Sequence, residues 1–402
     1  MKNVFWRRTT VIDGRHNTEP DPSLLPEFPE PLHVGRPNIG NRERFFQRIN
    51  EMLDRRWLSN DGPLVKEFEA AVAGYTGVEH CIALCNATVG LEIALRAMGL
   101  EGEVIVPAYT FVATAHALSW LGIRPVFADI DPRTHNLDPV CVERLITPHT
   151  TGIIGVHVWG CPCDTRALED IANRRGLKVM YDAAHAFGCS QGGTMVGNFG
   201  ECEVFSFHAT KFLNSFEGGV VVTNNSRLAE KICLMRNFGF QGYDNVVMLG
   251  TNGKMSEPCA AMGLTSLESV GELIAINKRN HTAYRDHLQG IHGIHLLERD
   301  DGERHNYQYV VIEVEESLYG RSRDVLVNKL HSENVIARKY FWPGCHRMQP
   351  YAGDNPDLPF SLPATENVAR RVIVLPTGET VDEEIISRIC GIIRREATGL
   401  IA

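Results

Sequence analysis

Short apolar runs alternate with stretches of helical periodicity between about Cys81 and Asn225. The runs predict strands at 81–85, 104–106, 125–128, 152–157, 178–182, 203–207 and 219–223. Between 88 and 99, Leu91, Leu95 and Met98 fall on one helix face, and Leu168 and Ile171 do the same between 163 and 176. Strands alternating with helices predict a parallel sheet covered on both faces. Residues 41–57 read as an amphipathic helix. After about 267 the pattern changes to mixed helices and amphipathic strands, such as 307–314, which predicts a smaller C-terminal α+β domain. The first 40 residues carry Pro20, Pro22, Pro26, Pro29, Pro31 and Pro37. Prolines favour extended backbone, so this is an arm, flexible or laid across a surface. The expected division is an arm at 1–40, a large domain at 41–266 and a small domain at 267–402.

Composition narrows the class. A chain of 402 residues is too long for one simple core. Hydrophobic residues make up 44% and charged residues 22%, as in an ordinary globular protein. The net charge is −9 and no basic stretch alternates with aromatics, which disfavours nucleic acid as a partner. The start, Met1 to Arg8, is followed by polar residues, so it does not read as a signal peptide. No uncharged apolar stretch reaches the roughly 18 residues of a membrane helix. Eleven scattered cysteines then read as reduced thiols of a cytoplasmic protein. Cys161, Cys163 and His157 lie close in sequence, but no second cysteine pair has zinc spacing, so no metal is expected.

The chemistry-bearing residues sit where the predicted strands end. Asp182 closes an apolar strand, where a buried carboxylate needs a cationic or hydrogen-bonding partner. A second strand runs into Ser206-Phe207-His208-Ala209-Thr210-Lys211. A carboxylate and an amine at one sheet edge suit pyridoxal phosphate (PLP): the lysine forms a Schiff base and the carboxylate keeps the pyridine nitrogen protonated. Taken singly, Lys211 reads as a solvated charge and Asp182 as a helix cap. Asn86-Ala87-Thr88 follows a strand and opens a helix, a place for a phosphate or simply a cap. Pro107 to Thr114 begins just past a strand, and an aromatic there either stacks on a flat ring or joins the core. His185 lies near Asp182, and Glu217-Gly218-Gly219 permits close backbone approach.

Together these segments, with Asn60-Asp61-Gly62-Pro63 and Phe68-Glu69, resemble the DegT/DnrJ/StrS family of PLP-dependent nucleotide-sugar aminotransferases over roughly residues 35–395. The stretch from His208 to Gly219 is most similar to the branch that aminates C4 of a dTDP-4-keto-6-deoxyhexose for antibiotic sugars. The resemblance implies the aspartate-aminotransferase-like fold type I, with a large, mainly parallel seven-stranded sheet, working as a cytoplasmic homodimer. It implies that Lys211 is the Schiff-base lysine and proton shuttle, and that Asp182 pairs with the pyridine nitrogen. Phe111 would stack on the ring, while Ala87, Thr88 and Ser206 would bind the phosphate. His185 would stand near the ring hydroxyl, where many relatives carry Gln.

In Gly250 to Met255, Asn252 would reach the partner subunit's cofactor, and Lys254, where many relatives have Arg, would meet the nucleotide phosphates. Tyr340 and His346, in and after Tyr340-Phe341-Trp342-Pro343, would touch the sugar nucleotide. L-Glutamate would convert PLP to pyridoxamine phosphate, the intermediate that aminates the keto-sugar. Readings left open are C3 amination, another PLP reaction on the same scaffold, and a non-catalytic sugar-binding or regulatory protein.

Overall fold

The structure, a computed structural model, describes residues 26–300, 302–353 and 362–398. Its centre is a seven-stranded sheet of β1 (His80–Leu84), β2 (Glu103–Pro107), β3 (Arg124–Ala128), β4 (Thr150–Val156), β5 (Lys178–Asp182), β6 (Glu203–Ser206) and β7 (Gly219–Thr223). The spatial order is β1-β7-β6-β5-β4-β2-β3. All pairings are parallel except those of β7, which runs antiparallel to both neighbours. The seven predicted strands and the mainly parallel sheet are therefore present.

Side chains alternate across this sheet because successive residues of a strand point to opposite faces. Ile82, Leu84, Val104, Val106, Ile154, Met180, Val204 and Val221 enter one core. There they meet α3 (Ala87–Met98), α4 (Ala113–Trp120) and α7 (Ser226–Arg236) through Leu91, Leu95, Leu118 and Ile232. Ala83, Phe205, Val220 and Val222 face the other way, onto Leu64, Phe68 and Leu264 of α2 (Pro63–Thr76) and α8 (Glu257–Glu268). Ile105, Ile153, Val179 and Tyr181 join them on that face, under Leu168 and Ile171 of α6 (Thr165–Arg175). Burial on both faces is why these strands read as continuous apolar runs.

The long helix Val270–Leu288 leads to a second, antiparallel sheet of Ile294–Leu296, Val310–Val314 and Val372–Leu375. It has its own core with Tyr284, Leu326, Ile386 and Ile389. The strand expected at 307–314 begins only at Val310. Tyr307 takes a left-handed backbone (φ 51°), and Asn306 and Gln308 give their amide groups to loops of the large sheet instead of a ladder. The start of the arm, 1–25, lies outside the described residues. Its remainder is laid across this second unit: Leu32–His33 pairs in parallel with Val335–Ile336, and Phe28 is buried in the same core. Among the described residues no single helix is long and apolar enough to cross a membrane.

Helix α2 starts inside the protein, so its first amide groups need a partner there. Glu257, fully buried, supplies it: Leu64 N–H and Val65 N–H donate to its carboxylate at 3.0 and 2.8 Å. Gly62 makes room, since a Cβ there would stand 2.4 Å from Glu257 Cδ. Glu257→Ala is expected to cost about 2 kcal/mol. The measurement is the urea midpoint, and Glu257→Gln, which keeps one acceptor, should recover part of the loss.

Candidate active site

Parallel strands bring their C-terminal ends to one edge, where the following helices present their N-termini. Here β4, β5 and β6 end at Val156, Asp182 and Ser206, and antiparallel β7 begins at the same edge with Gly219. A cavity of about 600 Å³ opens there, a size suited to a small organic ligand. Ala87, Thr88, Phe111, Asp182, His185, Ser206, Lys211 and Tyr340 all line it. Asn252, Lys254 and His346 do not.

At one end, helix α3 offers its first turn. Asn86 caps it by accepting from Val89 N–H at 2.9 Å, which leaves the amides of Ala87 and Thr88 for an anion. Gly219 lies against this turn, and a Cβ there would stand 2.5 Å from the Ala87 nitrogen. Glycine is thus required for close approach.

At the other end stands Asp182, only 6% exposed. Its Oδ2 accepts from the Thr114 hydroxyl at 2.8 Å and its Oδ1 from Ala184 N–H at 3.1 Å. Thr114 spends its one hydroxyl proton on Asp182, so Thr110, 3.0 Å away, donates to Thr114. Burial still holds the Asp182 carboxyl above its ordinary value, outweighing these donors and the Lys211 charge. What the carboxylate lacks is a cation in contact.

Lys211 projects into the same cavity from the loop after β6. Burial pushes its amine down from 10.5 to about 8, although the Asp182 charge acts in the opposite sense. Its Nζ lies 3.4 Å from Tyr309 Oη. His185 is buried and its ring is nearly parallel to Trp159 and Phe341, with interplanar angles of 18° and 14°. Burial, then the Lys211 charge, hold its pKa well below the usual histidine value. The neutral ring accepts Trp159 N–H at Nδ1 (3.3 Å), so by hydrogen-bond assignment the proton is on Nε2, a donor. Phe111, 56% exposed, stands at the cavity as an uncovered ring.

The remaining expected site residues have other neighbours. Lys254 donates to Asn237 Oδ1 at 2.9 Å and sits over the Phe238 ring. Asn252 is exposed and bridges to Asn237. His346 is buried against Glu366, 3.3 Å away. Sequence reading did not single out Thr114, Tyr309 or Phe341. Thr114 lies in the second position of α4, close after the strand end that drew notice. Tyr309 carried none, being 98 residues from Lys211.

The sequence profile of the DegT/DnrJ/EryC1/StrS aminotransferase family matches residues 40–394. A dTDP-4-amino-4,6-dideoxy-D-glucose transaminase of Shigella dysenteriae is 38% identical, covering 91% of this chain and 99% of that protein. A UDP-N-acetyl-3-dehydro-alpha-D-glucosamine 3-aminotransferase of Acidithiobacillus ferrooxidans is 34% identical, covering 89% of this chain and 95% of that one. Among solved structures, DesI in the presence of its TDP-sugar product superimposes with a TM-score of 0.89 at 49% identity, covering 93% of this chain and 94% of that chain.

The depressed Lys211 amine can be read without any ligand. Acylation of the free protein, followed peptide by peptide by mass spectrometry, should show Lys211 reacting with a midpoint near pH 8. Asp182→Asn deletes a negative charge that favours the ammonium, so the midpoint should fall further. A midpoint near 10.5, the ordinary lysine value, would contradict the burial argument.

Proposed function

Because the chain belongs to the DegT/DnrJ/EryC1/StrS aminotransferase family, we propose that it transfers the amino group of L-glutamate to C4 of a dTDP-4-keto-6-deoxyhexose, giving a dTDP-4-amino-4,6-dideoxy sugar. The enzyme is a PLP-dependent sugar aminotransferase, as the family is. The observation that carries the narrower reading is the placement of Lys211 and Asp182 in one cavity of a chain 49% identical to DesI, solved with its TDP-sugar product.

The residues fit the cofactor. Asp182 is a buried carboxylate short of a cation, which a protonated pyridine nitrogen supplies. The amides of Ala87 and Thr88 suit the phosphate, and the Ser206 hydroxyl lines the same cavity; glycine at 219 lets β7 approach that turn closely. His185, a donor at Nε2, would suit the ring oxygen, and Phe111, an exposed ring at the cavity, would stack on the pyridine. PLP, when bound, supplies an aldehyde that condenses with amines and a ring that takes up electrons from a broken C–H bond.

The protein's own part is positioning and proton transfer. An amine near pKa 8 is present in both protonation states at neutral pH, so Lys211 can take a proton from one carbon and return it to the next. Tyr309 holds that amine when it is free. The rings of Phe341 and Tyr340 line the cavity, with Trp159 packed behind Phe341, and keep water from the reacting carbons. We also assign Tyr340 to the sugar, a reading supported by its position in the cavity lining.

We further propose a homodimer in which the Asn252 segment completes the partner's site. In support, Phe238, Tyr243, Val246, Val247 and Leu249 form an exposed apolar stretch just before Asn252. In the same reading Lys254 meets the nucleotide phosphates and His346 the sugar nucleotide, although each holds a local partner outside this cavity, Asn237 and Glu366.

A second reading, amination at C3, is favoured by the Acidithiobacillus relative. The two separate in one experiment. The enzyme is given L-glutamate and either a dTDP-4-keto- or a dTDP-3-keto-6-deoxyhexose, and the product is identified by NMR. The expected product carries nitrogen at C4; nitrogen at C3 would overturn the proposal. L-Glutamate alone should bleach the visible absorption of the PLP-loaded enzyme. Lys211→Ala is expected to lower turnover by about 10³-fold while sugar-nucleotide affinity stays roughly unchanged.

A further inference from the structure

Lys211 sits on a loop, yet the residue beside it is held at both of its backbone groups by side chains from distant segments. Phe212 N–H donates to Gln308 Oε1 at 3.0 Å, and Phe212 C=O accepts from Asn38 Nδ2 at 2.9 Å. Phe212 is buried, so neither group has water as an alternative. The two amides replace the ladder partners that a strand would provide.

Each amide is fixed in turn. Gln308 N–H donates to Asn306 Oδ1 at 3.0 Å. Asn306 Nδ2 donates to the carbonyls of His185 and Phe187 at 2.8 and 3.0 Å. Asn38 C=O accepts from Asn214 Nδ2 at 2.8 Å, and its Oδ1 accepts from Glu379 N–H at 3.3 Å. On the other side of Lys211, the arm lies directly on Thr210: a Cβ at Gly35 would stand 3.0 Å from Thr210 Cβ. The lysine is therefore gripped from the N-terminal arm and from the entry to the second sheet. The same entry places Tyr309 at Nζ.

We propose that Asn38 and Gln308 are positioning residues that set where the Lys211 amine stands for condensation with the aldehyde of PLP. The proposal rests on the PLP reading of the cavity. In the step concerned, Nζ adds to the aldehyde carbon, a C=N bond forms and one water leaves. That step depends on where the amine stands. Pyridoxamine phosphate has no aldehyde, so its binding uses the same cavity without that bond.

The test compares the two ligands on the full chain freed of cofactor. Gln308→Met keeps the side-chain length and deletes the acceptor. Asn38→Asp keeps the acceptor for Glu379 and turns the donor facing Phe212 into an oxygen. PLP capture is followed by visible absorbance and borohydride trapping on Lys211, and pyridoxamine phosphate affinity by fluorescence quenching. Each variant should capture PLP about tenfold more slowly or worse, as small misplacements of reacting groups do, with pyridoxamine phosphate affinity unchanged. Parallel loss of both ligands, or loss of neither, would overturn the clamp. The two variants lie on separate segments, so a folding failure in one, seen in its melting temperature, leaves the other to decide. Wild-type protein that takes up neither ligand would instead remove the cofactor reading, and the clamp with it.

Discussion

A carboxylate and an amine share one cavity, and burial drives each toward its neutral form. The site depends on this shared desolvation. Had Asp182 and Lys211 closed on each other, both would be locked in the charged state and the lysine would be useless as a nucleophile. Among the described residues no ion pair joins them. Asp182 is turned onto Thr114 and Ala184 instead, and Lys211 onto the neutral Tyr309 hydroxyl. Each group is thus met by neutral hydrogen-bonding partners.

The sheet makes this arrangement possible. Strict alternation of side chains between two cores leaves the strands no freedom to slip, because a one-residue shift would exchange the faces of every strand. Asp182 and Ser206 are therefore delivered at fixed heights. Strand β7, entering antiparallel, brings a glycine rather than a strand end to the same edge, against the first turn of α3. The anion end of the cavity is built from backbone, and the other end from side chains.

Much of this was legible in the sequence. The seven strands show as apolar runs because they are buried on both faces, and Asp182, Ser206 and the Ala87-Thr88 turn stand out because they follow those runs directly. Contacts between remote segments left no local trace. Nothing in the composition around Asn38 or Gln308 points to Phe212, and Tyr309 meets Lys211 only through the fold. The strand expected at 307–314 lost its first three residues for the same reason: Gln308 reads as a strand residue locally, but its side chain is taken by Phe212. Asn252, Lys254 and His346 were singled out by resemblance, and each has a local partner away from the cavity.

The arm also bears on where a working enzyme can be cut. The family match begins at residue 40, so a chain trimmed to that boundary would keep every motif by which the family is recognised. It would nevertheless lack Asn38, the buried Phe28 ring under the Arg388 guanidinium, and the Leu32–His33 strand. The sequence match begins at residue 40, past both the paired Leu32 and the buried Phe28. A shortened protein would look complete in any alignment and still lack the Asn38 bond to the residue beside Lys211.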